Sequence, residues 1–193
     1  MKNRGFPGVE IRKVEMGAYN EDVMKGKGKV RAEEYKQLHL YTAIGKIEKE
    51  DLNLAACAHL YASDRNSLFI IRNAVPGWEE DEFASMASLS HTVVFHVDGD
   101  ELRFEDEWRD RSERGDGRGG GKEAGYEAFG GRREDRKWFC QEAWTGRSGG
   151  GRGMHESRIW SPGGVLVATT LQEGVVRRVM DPSKDNSRNG SLL

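Results

Sequence analysis

Leu52-Asn53-Leu54-Ala55-Ala56-Cys57-Ala58-His59-Leu60-Tyr61-Ala62-Ser63-Asp64 is a run of low-polarity residues without the alternation of a strand. Lys49-Glu50-Asp51 lead into it with acidic groups suited to a helix N-terminus, so the pattern predicts a helix from Leu52 to about Ile71. A helix that is apolar nearly all round should be buried. Within it, Cys57 reads as a small buried hydrophobe.

Outward from this helix the period changes to two. Leu38-His39-Leu40-Tyr41-Thr42-Ala43-Ile44 has the alternation and the β-branched and aromatic content of a half-buried strand, placed between Lys36 and Lys46. A first strand is expected within Gly8 to Met16, followed by a polar, Gly- and Lys-rich loop over Asn20 to Glu34. After the helix, strands are expected at Ser88 to His96, at Trp138 to Trp144 with an extension to Ser148, and at Arg152 to Trp160. Pro162-Gly163-Gly164 supplies turn chemistry before a last strand, Val165 to Val179, and a flexible tail from about residue 181. One buried helix against a mainly antiparallel sheet is an α+β arrangement.

The 193 residues suit one domain with an insertion better than two full domains. A hydrophobic share of 36% against 32% charged, with 25 Gly, is lean, so part of the chain should not pack. That part is expected at Arg109 to Arg136, where 15 of 28 residues are charged and 8 are Gly. Arg114-Gly115 and Arg118-Gly119-Gly120-Gly121 hint at an RNA-binding arm, but Asp110, Glu113, Asp116, Glu123, Glu127, Glu134 and Asp135 largely cancel the charge. With a net charge of −2, no nucleic-acid partner is expected. No apolar run approaches the ~18 residues of a membrane helix and no signal-peptide core begins the chain, so no membrane insertion and an intracellular location are expected. Cys57 and Cys140 are too few and too far apart for a disulfide framework or a metal cluster. Gly146-Arg147-Ser148-Gly149-Gly150-Gly151-Arg152-Gly153 lacks the strand-loop-helix context and the Gly-Lys-Ser/Thr of a phosphate loop.

Three short segments carry candidate chemistry: Tyr61-Ala62-Ser63-Asp64, Met86-Ala87-Ser88-Leu89-Ser90-His91 and Val167-Ala168-Thr169-Thr170-Leu171-Gln172-Glu173-Gly174. They offer a carboxylate, a hydroxyl and a primary amide. A carboxylate within an apolar helix is costly unless paired, hydrogen-bonded or wet. From the helix alone, Asp64 reads better as bonded to Arg65, Asn66 or nearby backbone than as a catalytic group. Ser88 has one donor and two acceptor sites, and Gln172 has both faces of an amide. Either could serve a structural hydrogen bond across the sheet. His91 and His96, five apart on one strand, point to opposite faces and make no metal site, and His91 reads as a hydrogen-bonded structural group.

In order and approximate spacing these segments resemble the second repeat of the acyl-CoA thioesterase II family. Phe6-Pro7, Val9-Glu10-Ile11-Arg12, Val93-Val94-Phe95-His96 and Gly163-Gly164-Val165-Leu166-Val167-Ala168 add to the match, which spans roughly Phe6 to Arg178. The resemblance implies a hotdog fold, an antiparallel sheet wrapped around a long central helix. It implies hydrolysis of acyl-CoA to a free fatty acid and CoA, without metal or organic cofactor. It carries catalytic roles onto Asp64, Ser88 and Gln172 as holders of a hydrolytic water, with Glu173 and Gly174 shaping the strand and backbone N–H groups near the helix holding the oxyanion.

The family has a small-residue, Arg-Gly-containing stretch at the place of Gly146 to Gly153, so the resemblance implies a sheet bend or bulge there. The stretch from Arg109 to Arg136 departs from the family, which has a short connection there, and two further departures are visible. Ser90 stands where many members have Asp, and lying two residues from Ser88 it is expected on the same strand face. Members usually carry two hotdog repeats in one chain, whereas this chain matches only the second. A homodimer, or pairing with the missing N-terminal repeat, is therefore expected to cover the vacant side. The alternative from another functional class is a noncatalytic hotdog that binds acyl-CoA or serves as a packing partner. Ser191-Leu192-Leu193 resembles the peroxisomal Ser-Lys-Leu signal without its basic middle residue, leaving a peroxisomal or cytoplasmic address.

Overall fold

A computed structural model describes residues 8–25, 34–65, 67–74, 83–104 and 137–178. The proposed insertion at 109–136, the tail from 181 and the terminal Ser191-Leu192-Leu193 lie outside these residues. In chain order the elements are β1 (Val9–Lys13), α1 (Gly17–Lys25), β2 (Gln37–Ala43), α2 (Leu52–Asp64), α3 (Phe69–Asn73), β3 (Phe83–Phe95), β4 (Phe139–Gly149), β5 (Arg152–Trp160) and β6 (Leu166–Arg178). A turn of 3-10 helix covers Gly99–Leu102. The expected strands are all present. The polar stretch from Asn20 is not wholly loop, since α1 occupies its first part. The Asn20 side chain joins α1 to the start of β2, donating to Lys36 O at 2.9 Å and accepting from Lys36 N at 3.1 Å.

The six strands form one sheet in the order β1-β2-β4-β5-β6-β3, with every neighbouring pair antiparallel. Its inner face follows the period of two: Gln37, His39, Tyr41 and Ala43 on β2; Phe139, Gln141, Ala143 and Thr145 on β4; Gly153, His155, Ser157 and Ile159 on β5. Against this face lies α2, burying Ala55, His59, Ala62 and Ser63. Asp51 caps its start by accepting from Leu54 N at 2.9 Å.

A histidine ties the aromatic part of the core together. His59 is fully buried, stacked on Phe104 at 4.4 Å and edge-on to Phe139 at 4.5 Å. Its Nε2 lies 2.9 Å from Leu102 O, which can only accept, so Nε2 carries the hydrogen. Nδ1 then accepts from Tyr41 OH at 2.7 Å. Burial lowers the His59 pKa to about 4 and raises that of Tyr41, so both stay neutral.

Three expectations about the helix are corrected. It ends at Asp64 instead of running to Ile71. Arg65 leaves in extended geometry (φ −73°, ψ 128°), and the next residues turn into the separate α3. The reason is local: Arg65 N turns to Ala62 O at 3.2 Å, and Ser67 Oγ donates at 2.9 Å to Asp64 O, a carbonyl that a continued helix would use. Nor is the helix buried all round. Leu54 and Leu60 are 48% and 39% exposed, and Cys57 between them is exposed rather than buried. The spacing of three puts them on one stripe turned away from the sheet.

A β-bulge interrupts β3. Ser88 opposes Gly174 on β6, Ser90 opposes Glu173 and His91 opposes Gln172, leaving Leu89 as the extra residue. Directly opposed residues share a face, so Met86 and Ser88 point inward before the bulge, and His91, Val93 and Phe95 after it. Ser90 therefore lies with Glu173 on the outer face, correcting the expectation that it shares the face of Ser88. A second register shift, between Thr145 and Arg147, gives the bend expected at Gly146.

Candidate active site

Three elements bring the candidate side chains together. Asp64 is the last residue of α2, Ser88 immediately precedes the bulge of β3, and Gln172 sits mid-strand on β6. Gln172 Nε2 donates to Asp64 Oδ1 and to Ser88 Oγ, each at 2.6 Å. The bulge is what makes this possible. Without Leu89 looped out, residues 88 and 91 would fall on opposite faces, and Ser88 could not share the inner face with Gln172.

The amide orientation follows from its partners. A carboxylate oxygen accepts, which favours the nitrogen end of the amide toward Asp64, the orientation the structure has. With its N–H groups committed to Asp64 and Ser88, Gln172 clamps the two together. The Ser88 hydroxyl accepts from the amide and keeps its own hydrogen to donate. Gln172 is 1% exposed whereas Asp64 and Ser88 are exposed, so the buried amide backs a carboxylate and hydroxyl that open to solvent. A water placed between them could accept from Ser88 and donate to Asp64.

Two glycines set the distance between sheet and helix end. A Cβ on Gly174 would meet Leu68 Cδ2 at 2.5 Å, and one on Gly153 would meet Ile71 Cγ2 at 2.2 Å. These opposed positions admit the segment that follows Asp64. Gly174 thus makes room for the close approach of Leu68.

His91 points inward and places Nε2 3.2 Å from Ser63 Oγ, while His96 on the other face meets Thr169 Oγ1 at 3.0 Å, as their separation predicted. Beneath the trio, Gln141 Nε2 reaches Ser157 Oγ at 3.0 Å and Ser63 O at 3.3 Å, and Ser157 Oγ bonds Thr170 Oγ1 at 2.6 Å. Sequence reasoning missed these supports and His155. The usable signal was the alternation of β5, which puts His155 and Ser157 on one face. Among the described residues no group of three or more His, Cys, Asp or Glu could hold a metal ion, and no helix is long and apolar enough to cross a membrane.

The family model of the acyl-CoA thioesterase C-terminal domain matches residues 129–176, the stretch that contains Gln172 and the sheet supporting it. Curated relatives extend the match across the rest of the site. Acyl-coenzyme A thioesterase 8 of Mus musculus is 28% identical over 148 residues, 77% of this chain and 35% of that protein. The Homo sapiens protein of the same name is 28% identical over 144 residues, 75% of this chain and 34% of its own length. The chain is similar to these acyl-CoA thioesterases. It spans little more than a third of the length of these relatives. Among solved structures, the acyl-CoA thioesterase II TesB2 of Mycobacterium marinum superposes with a TM-score of 0.56 at 21% identity, covering 92% of this chain and 52% of that one. The fold is thereby an α+β hotdog, as the family resemblance implied.

Proposed function

We propose that this domain hydrolyses acyl-CoA thioesters by water attack, with Asp64, Ser88 and Gln172 as its catalytic residues. The reading is carried by the convergence of one buried amide on a carboxylate and a hydroxyl that face solvent. Ser88 orients the water, and Asp64 takes its proton as oxygen attacks the thioester carbon. Gln172 holds both in register. The tetrahedral oxyanion is stabilised by backbone N–H groups near the helix, in the manner the family implies. Collapse breaks the carbon–sulfur bond, the sulfur leaves with the proton from Asp64, and the products are a fatty acid and CoA.

The reaction needs a second hotdog beside this one. The outer edge of β3 supports this: 13 residues long, it contains no Pro, Lys, Arg, Asp or Glu, and no described strand pairs with it. The opposite edge, β1, is five residues long and carries Glu10, Arg12 and Lys13. We place a second copy, or the first repeat of a two-repeat assembly, on the β3 edge and the Leu54/Leu60 stripe, and substrate acyl-CoA near that junction. The address is peroxisomal or cytoplasmic. Release of CoA thiol from acyl-CoAs of several chain lengths, followed with a thiol reagent, tests the activity. Tight CoA binding without turnover would favour the noncatalytic alternative.

A further inference from the structure

Gln172 has a second, unused end. Its Oε1 is buried and makes no hydrogen bond, and on the adjacent strand His155 is fully buried with neither Nδ1 nor Nε2 bonded. The two residues are opposed in the β5–β6 register and both face inward, so their Cβ atoms are about 4.5–5.5 Å apart. The other members of this row have partners: Thr145 donates to Met154 O at 2.7 Å, and His91 directs Nε2 at Ser63 Oγ. What remains is complementary. Gln172 Oε1 can only accept, and a neutral imidazole has one N–H to give. Burial lowers the His155 pKa to about 3, with the neighbouring His91 and His39 adding to the effect, so the ring is neutral at any working pH and is no proton shuttle.

We propose that His155 is a positioning residue for Gln172: its ring presents an N–H to Gln172 Oε1, directly or through one enclosed water, and so selects the amide orientation that donates to Asp64 and Ser88. The two orientations of a primary amide are nearly isosteric, so polar contacts must choose between them. Asp64 is exposed and in contact with solvent, which weakens its hold on the choice, while a contact from the dry side does not compete with water. This inference deepens the hydrolytic reading above and rests on it.

The test uses the whole chain labelled with 15N in Gln and His side chains. In the parent protein, the ring nitrogens should report one neutral tautomer with a slowly exchanging, hydrogen-bonded N–H, and the Gln172 amide pair, assigned by its loss in Gln172→Ala, should be slow to exchange. His155→Leu should speed exchange of the Gln172 amide and lower kcat about tenfold, the scale of one net hydrogen bond, with KM little changed. His155→Gln, which returns an N–H donor, should recover most of both. A rapidly exchanging ring N–H in the parent, or a folded His155→Leu with parental kcat and parental Gln172 exchange, would overturn the assignment. Asp64→Asn separates the two claims. Parental turnover by that variant removes the hydrolytic reading, whereas the parent spectrum alone judges the pairing of His155 with Gln172.

Discussion

Gln172 Nε2 and Asp64 Oδ1 lie 2.6 Å apart, joining residues 108 positions distant in sequence through a bond from mid-strand to helix terminus. Asp64→Asn keeps the side-chain shape but removes the proton acceptor, and turnover should fall by roughly 10²–10⁴-fold. The CD spectrum and melting temperature should stay near parental. Gln172→Ala should cost about 10²-fold by releasing both clamped groups. Steady-state CoA release checks both, and parental turnover by Asp64→Asn would remove the mechanism.

Acid should unfold this domain through its histidines. Burial lowers the pKa of His39 and His59 to about 4 and of His155 to about 3, against about 6.5 in the unfolded chain. Because the folded values are depressed, the unfolded chain binds more protons below about pH 6.5. Stability is then unaffected above that pH and declines as pH falls toward 4, by up to about 1.4 kcal/mol per pH unit for each histidine. Urea midpoints at pH 7.5, 6 and 5 should follow this fall. His39→Gln should flatten the slope by about one proton, and an unchanged slope would contradict the assignment.

Gly153→Ala should destabilise by about 1–3 kcal/mol, the ordinary cost of overpacking, since the new methyl would meet the Cγ2 methyl, fixed directly to Cβ, of a fully buried Ile71. Gly174→Ala should cost less, because it meets the terminal methyl of Leu68, which can rotate aside. Pairing Gly153→Ala with Ile71→Ala should give a favourable coupling in a double-mutant cycle. Strict additivity would show that the close approach does not matter.

Association should run through the β3 edge and the outer stripe of α2. Light scattering coupled to size exclusion at micromolar concentration should show a dimer, and charging the stripe with Leu54→Lys and Leu60→Lys should shift it toward monomer without lowering the melting temperature. A monomer at every concentration would exclude the homodimer.

Much of this was legible in the chain. Alternation located every strand, Asp51 marked the helix start, and Asp64, Ser88 and Gln172 could be singled out by the chemistry of their side chains and their family spacing. The helix end is not legible because Arg65 to Leu68 lie between apolar runs, and the competing bond from Ser67 Oγ to Asp64 O leaves no periodic trace. The exposure of Cys57 was misread because apolar composition marks a surface to be covered, not whether the same chain covers it. His155 escaped notice because its importance comes from a register partner 17 residues away, which no local pattern shows.

The looped-out Leu89 gives β3 the equivalent of a reading frame. From Met86 to Ser88 the interior is spelled by even-numbered residues and from His91 to Phe95 by odd-numbered ones, so one position sets the phase between these two stretches. Deleting Leu89 would leave the composition almost untouched, yet force the strand either to turn Ser88 away from Gln172 or to turn His91, Val93 and Phe95 out of the core. The register of the Ser88 hydroxyl, proposed as catalytic, and the integrity of the hydrophobic interior are therefore under a single control. Substitutions at Leu89 leave that phase in place, whereas a one-residue loss there is a change of meaning for every residue on one side of it.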